Sequence, residues 1–130
     1  GDDDLFGESG NDVLIGGEGV DTYYWSKGND QYYGDAKALQ TADVFEFKVW
    51  GDNGDDQILN FDRTNDVLVL LGATKNGNDM TVKHTDDGWL QLDFAGGGSV
   101  TFVGNADLAT VTSVPHLNIL ANVQYDNGMA

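Results

Sequence analysis

Large apolar residues recur in this chain at a fixed interval rather than at helical spacing. Leu5-Phe6, Leu14-Ile15, Tyr23-Tyr24 and Tyr32-Tyr33 are doublets nine residues apart, each with an aspartate two residues before its first member. Polar, glycine-rich stretches separate them. Gly7-Glu8-Ser9-Gly10-Asn11-Asp12-Val13-Leu14-Ile15 leads directly into Gly16-Gly17-Glu18-Gly19-Val20-Asp21-Thr22-Tyr23-Tyr24, and Gly1 to Phe6 fits the end of an earlier unit. Trp25 to Tyr33 keeps the fourth, sixth, eighth and ninth positions but lacks the leading glycines. A self-similar period of this length signals a repeat architecture. Glycine at positions one, two and four allows a sharply curved turn, and positions seven to nine form a short strand. The eighth side chain then points inward, so Leu5, Leu14, Tyr23 and Tyr32 line the interior, while Phe6, Ile15, Tyr24 and Tyr33 at position nine face outward. If each unit makes half a turn of a flattened coil, units eighteen residues apart stack, with Asp3 above Asp21 and Asp12 above Asp30.

Beyond the repeats the pattern changes to strict alternation. Thr41 to Trp50 reads as a strand with Phe45, Phe47 and Val49 on one face and Glu46, Lys48 and Trp50 on the other. Gly51 to Leu59 is a further repeat-like unit, followed by a polar turn from Asn60 to Asp66 and the strand Val67 to Leu71. More strands are expected at Met80 to His84, Trp89 to Phe94 and Val100 to Val103. The last two form a hairpin across Ala95-Gly96-Gly97-Gly98, with Leu90, Leu92 and Phe94 inward. Asn105 to Leu108 can cap a short helical turn, and Leu117 to Val123 is open between strand and helix. The expected fold is all-β: a flattened coil of nonapeptide repeats, continued and capped by an antiparallel β-sheet region that covers its exposed end. Residues 1–42 are expected to hold the roll repeats. Residues 43–130 are expected to hold the C-terminal β region, with the repeat-like turn at 51–59 and the capping sheet.

Charge sharpens this picture. The 130 residues carry 22 Asp plus Glu against 6 Lys plus Arg, a formal net charge of −16, and all but Glu8, Glu18 and Glu46 of the acids are Asp. Such a surface lacks the cations that nucleic-acid phosphates require. With 40% hydrophobic residues the chain can still bury a core, so it is no disordered acidic tail. Cysteine is absent, which removes disulfides and thiolate chemistry and fits an exported protein stapled by other means. No apolar run is long enough to span a bilayer. The opening Gly1-Asp2-Asp3-Asp4 starts inside the repeat pattern, so the chain is expected to be part of something longer.

The Asp bias has a local explanation. A short carboxylate at position six can point back into the glycine turn, where backbone carbonyls also converge, and several hard oxygen ligands on a flexible scaffold suit calcium. Two carboxylates stacked across coils repel strongly unless a cation lies between them. The candidate ligands are therefore Asp3, Asp12, Asp21, Asp30 and Asp56, with turn carbonyls of Gly1, Gly7, Gly10, Gly16, Gly19 and Gly28 and about two to four ions. Asp52, Asp62 and Asp66 are weaker candidates, and for the last two capping and binding stay equally open. The competing reading is that these are ordinary Asx and glycine turns. Local signatures of hydrolase, zinc, nucleotide or EF-hand sites are missing, and His84 and His116 suit core or surface roles. The chain thus reads as a binding or structural unit rather than an enzyme, although a catalytic domain can exist elsewhere in the parent protein. Outward-facing Tyr24, Trp25 and Tyr33 are a possible ligand platform for sugars, or else pack under the C-terminal half.

Gly16-Gly17-Glu18-Gly19-Val20-Asp21-Thr22-Tyr23 resembles the repeat of the RTX, or haemolysin-type calcium-binding, proteins, whose units read GGxGxDxUx with U a large apolar residue. The unit from Gly7 departs only at Glu8, and Trp25-Ser26-Lys27 departs at both leading glycines. The likeness covers roughly residues 1 to 35, with a weaker one over 51 to 71. It implies a parallel β-roll near the C-terminus of a secreted bacterial protein, exported by the type I machinery, that folds in extracellular calcium and supports the stability of its parent. It also implies an alternative: a calcium-dependent carbohydrate-binding or adhesive module of a polysaccharide-acting enzyme or a large adhesin.

Overall fold

The computed structural model describes residues 4–6, 10–16, 19–24, 27–33, 43–48, 54–63, 65–72 and 80–126. Each N-terminal unit contributes one short strand: β1 (Asp4–Phe6), β2 (Val13–Ile15), β3 (Thr22–Tyr24) and β4 (Gln31–Tyr33). Successive strands belong to opposite sheets. β1 pairs with β3 and β2 with β4, parallel and in register, which sets Leu5 opposite Tyr23 and Leu14 opposite Tyr32. Half a turn per nine residues is therefore the geometry of the roll.

The coil continues through β5 (Val44–Lys48), β6 (Asp55–Leu59) and β7 (Val67–Leu71), all parallel to the strands above them. β8 (Met80–His84), β9 (Leu90–Phe94) and β10 (Ser99–Val103) follow. Among the described residues antiparallel pairing is confined to β8 with β9 and β9 with β10; β10 itself returns parallel to β6. The connection after β10 contains a 3-10 turn (Leu108–Thr110) and α1 (Val114–Leu120), and the chain then adds β11 (Asn122–Asp126) parallel to β7. The two sheets have the orders β1-β3-β5-β7-β11 and β2-β4-β6-β10-β9-β8.

The segment Leu117 to Val123, ambiguous by pattern, is divided between helix and strand. Ser113 caps α1 by accepting the His116 N–H, Pro115 sits in the first turn, and the extended Ala121 ends the helix before β11 begins. Asn105 likewise caps the 3-10 turn, its Oδ1 accepting the Leu108 N–H at 3.2 Å.

Between the sheets lies one core. Its main ladders are Leu5, Tyr23, Phe45, Leu68 and Val123 on one side, and Leu14, Tyr32, Ile58 and Phe102 on the other. Tyr23 stacks on Phe45 with ring centroids 4.6 Å apart, and Tyr32 meets Phe47 edge-on. Leu90, Leu92 and Phe94 point inward as the alternation predicts, and Leu108, Val111, Val114 and Leu117 bring the final connection into the same core. Among the described residues no helix is long and apolar enough to cross a membrane.

Candidate metal centre: two columns of aspartates

The residue two before each inward-facing side chain falls at the end of a turn, and coiling stacks these positions into two columns. One holds Asp12, Asp30 and Asp56, the other Asp21, Asp43 and Asp66. Asp30 Oδ1 accepts the Asp12 N–H at 2.8 Å, and Asp56 Oδ1 accepts the Asp30 N–H at 2.8 Å. In the second column Asp43 Oδ1 takes the Asp21 N–H and Asp66 Oδ1 the Asp43 N–H, both at 2.9 Å. Asp30, Asp56, Asp43 and Asp66 thus each satisfy a backbone donor one coil above. The separations along the chain are 18 residues for Asp12 and Asp30, but 26, 22 and 23 for the later rungs. Extra chain is accommodated in the connections, so the column persists after the period is lost.

These carboxylates are deeply placed. Asp21, Asp30, Asp43, Asp56 and Asp66 are buried, and Asp12 half-buried. Among the described residues, no hydrogen-bond donor reaches the buried second oxygen, Oδ2, of Asp12, Asp21, Asp43 or Asp56. Asp30 Oδ2 receives the Tyr32 hydroxyl at 3.4 Å, and Asp66 Oδ2 accepts the Asp62 N–H at 2.8 Å. A buried carboxylate oxygen without a donor is costly, and a hard cation is the group that suits it. The turn also leaves room for such an oxygen: a Cβ on Gly16 would lie 2.1 Å from Asp21 Oδ2. Asp62 accepts from Asn65 Nδ2, so Asp62, Asn65 and Asp66 form a self-capped turn.

A second ladder runs beside the first column. Asn11 Oδ1 accepts the Asn29 N–H, Asn29 Oδ1 accepts the Asp55 N–H, and Asp55 Oδ1 accepts the Ser99 hydroxyl, at 2.9, 2.9 and 3.0 Å. The preceding glycines are in equally close contact. Gly28 has φ 101°, and a Cβ there would meet Gly10 O at 2.0 Å; Gly54 bears the same relation to Gly28 O. Gly10, Gly19 and Gly28 occupy the same turn position, with φ 101°, 104° and 101°. Both columns end on apolar side chains. In register with Asp56 stands the buried Val100, and Ala121 takes the place below Asp66.

Gly1, Asp3, Gly7, Trp25 and Asp52 lie outside the described residues. The repeat points to neither Asp43 nor the rungs Asn11 and Asn29 that lead to Asp55, although Asp43-Val44-Phe45 repeats the Asp-x-apolar triplet of Asp21-Thr22-Tyr23 and Asp56-Gln57-Ile58. Among the described residues no three His, Cys, Asp or Glu side chains converge as a metal cluster. Each described rung of the two columns brings one aspartate, so backbone carbonyls are the natural further ligands. His116 Nδ1 accepts the Thr112 N–H in the final connection.

Position nine lies outside the core. Phe6, 62% exposed, stacks on Tyr24 with centroids 4.4 Å apart and planes 2° from parallel. On the other sheet Ile15, 65% exposed, stands in register with Tyr33. Desolvation, with the nearby charges of Asp4 and Glu46, pushes the Tyr24 phenol above its ordinary range. Inside, the Tyr23 hydroxyl accepts the Gly16 N–H and donates to Tyr33 O at 2.6 Å, tying a turn to the facing sheet.

A family model described as the RTX calcium-binding nonapeptide repeat, in 4 copies, matches residues 1–32. An RTX-type nonapeptide repeat motif is therefore present over the first coils. No curated protein matches the chain. Among solved structures the chain is similar to the solution structure of the AlgE6R3 subunit from the Azotobacter vinelandii mannuronan C5-epimerase. The identity is 26%, over 88% of this chain and 76% of that one, with a TM-score of 0.33.

Proposed function

We propose that the chain is a calcium-dependent β-roll module of a secreted bacterial protein. The observation that carries this reading is register: the aspartates of the matched repeats stack in two columns at the ends of glycine turns. Asp3, Asp12, Asp21, Asp30 and Asp56 are the proposed ligands together with the turn carbonyls. Asp43 joins them as the next rung below Asp21, and Asp62 and Asp66 act as turn caps. Bound calcium supplies the positive charge that lets stacked carboxylates remain ionised, for two to four ions in all. Where calcium is scarce, repulsion within a chain of net charge −16 holds the repeats open, which suits export by a type I machinery. Outside the cell, ligation free energy becomes folding free energy. Circular dichroism during a calcium titration tests this. The β signal should rise with calcium, and Asp21→Ala should shift the midpoint at least about tenfold while Asp87→Ala leaves it in place. A chain equally folded in excess chelator would overturn the reading.

Glycan recognition is the use that the outer surface favours for such a module. A pure folding device gives no reason to keep Phe6, Tyr24, Ile15 and Tyr33 outside the core, whereas rings and apolar side chains on a regular flat sheet suit the C–H faces of sugars. Calcium would then be structural and the outer face the recognising element. A glycan-binding screen in calcium, with Tyr24→Ala and Tyr33→Ala as probes, tests it. Absence of binding to any polymer leaves folding and export as the role.

A further inference from the structure

The two outer faces differ in charge. On the β1-β3-β5 face the Phe6–Tyr24 stack lies beside two carboxylates, Glu46 in register with Tyr24 and Asp4 in the row of Thr22. The two rings also cover one another, so Tyr24 turns one ring face to Phe6 rather than to a ligand. On the β2-β4-β6 face two parallel rows cross the strands, Val13–Gln31–Gln57 and Ile15–Tyr33–Leu59. Neither row contains an ionisable acid or base other than the Tyr33 phenol, in a chain of net charge −16. The neighbouring carboxylate, Asp55, is engaged by the Ser99 hydroxyl, and farther across the sheet the Lys83 ammonium is met by Asp93 at 2.6 Å. Gln31 Nε2 donates to Gln57 Oε1 at 3.3 Å, which aligns the amides as a ladder while leaving donors and acceptors directed at solvent.

We infer that the β2-β4-β6 face is a docking surface for an uncharged polysaccharide. This rests on the glycan reading above and specifies its site and ligand class. An extended sugar chain presents hydroxyls and C–H surfaces side by side. The amide row matches the hydroxyls, and the apolar row with Tyr33 matches the C–H surfaces. The strand spacing of about 4.8 Å keeps both rows straight across three coils. A polyuronate finds no unpaired cation in these rows and meets the field of the whole acidic chain.

The test is affinity electrophoresis and calorimetry on the calcium-loaded chain, with soluble xyloglucan as the uncharged probe and polygalacturonate as the charged one. Xyloglucan should bind in preference to polygalacturonate. The double variant Tyr33→Ala/Gln57→Ala should raise its Kd at least about tenfold, and Tyr24→Ala should leave it within about twofold. Circular dichroism establishes that both variants fold at the wild-type calcium midpoint, and a double variant that does not fold is replaced by Gln57→Ala alone, whose side chain is exposed. Tighter binding to polygalacturonate, or loss of binding in Tyr24→Ala alone, overturns the inference while glycan recognition stands. If neither polymer binds the folded chain, both fall. A double variant that dissociates a dimer instead assigns the face to a second copy and also overturns the inference.

Discussion

The first coils and the later ones share one inward ladder but differ in what can hold them. β1 and β2 are three residues long, and Leu5 and Leu14 are only half-buried. β5, β6, β7, β9 and β10 are five residues long, and Phe45, Phe47, Ile58, Leu70, Leu92 and Phe102 are sealed from solvent. A fully buried large side chain contributes about 1.5–3 kcal/mol, whereas ordering each backbone residue costs roughly 1–2 kcal/mol. One inward residue per nine-residue unit, half-buried in β1 and β2 and buried in β3 and β4, cannot offset that, so the early coils depend on their turns. The later coils bury two or three inward residues per strand and are closed by the hairpin and the helical connection. Metal dependence should therefore fade along the chain.

The largest test of this contrast is removal of calcium. In excess chelator, hydrogen exchange should lose protection over β1 to β4 while β9 and β10 keep theirs. Uniform loss, or none, would break the distinction. Next comes the core of the closed half: Phe102→Ala should cost about 3–5 kcal/mol in urea unfolding with calcium present, whereas Leu5→Ala at the open end should cost less than about 1.5 kcal/mol because its side chain is already half solvated. Equal losses would mean that both ends rest on burial.

Gly28→Ala probes the turns directly. It combines an unfavourable φ with a collision against Gly10 O, and should cost about 1–3 kcal/mol and weaken calcium-induced folding. The same change at Gly88, where φ is 90° but a Cβ meets nothing within 4 Å, should cost less and leave the calcium midpoint unchanged.

The smallest effect belongs to the outer edge of the cap. Desolvation works to raise the Asp93 carboxyl, but hydrogen bonds from Lys83 and Gln91 and the Lys83 charge outweigh it and hold it below the ordinary carboxylate range. A lowered folded value means that stability is present above the unfolded value of about 3.9 and is lost as pH falls through the folded one. With Lys83 mostly exposed, Lys83→Ala should cost only about 0.2–1 kcal/mol at neutral pH. The difference from wild type should shrink in acid, and one that stays constant with pH would show that the pair contributes through packing alone.

Much of this architecture was readable from local chemistry. Nine-residue spacing of Asp-x-apolar triplets dictates the half-turn coil, because only stacking at eighteen residues buries every eighth side chain together. The alternation in β9 likewise identifies Leu90, Leu92 and Phe94 as core. Two features were not readable. Asp43 stands 22 residues after Asp21, off the period, and becomes the next rung only because β5 pairs in parallel with β3. Leu117 to Val123 holds apolar residues compatible with either period, and the Ser113 cap and the pairing of β11 with β7 divide it.

By itself, then, the sequence determined the repeat unit, its inward and outward positions and the oxygen-rich turns, since each follows from the stereochemistry of a few adjacent residues. Tertiary structure alone decided which turns stack after the period breaks, where each column ends, at Val100 and Ala121, and which outer rows carry no charged side chain. Those properties depend on strand partners such as Thr22 with Val44 and Val67 with Asn122, 22 and 55 residues apart. Pairing over such distances is selected by the shared core and not by any local signal.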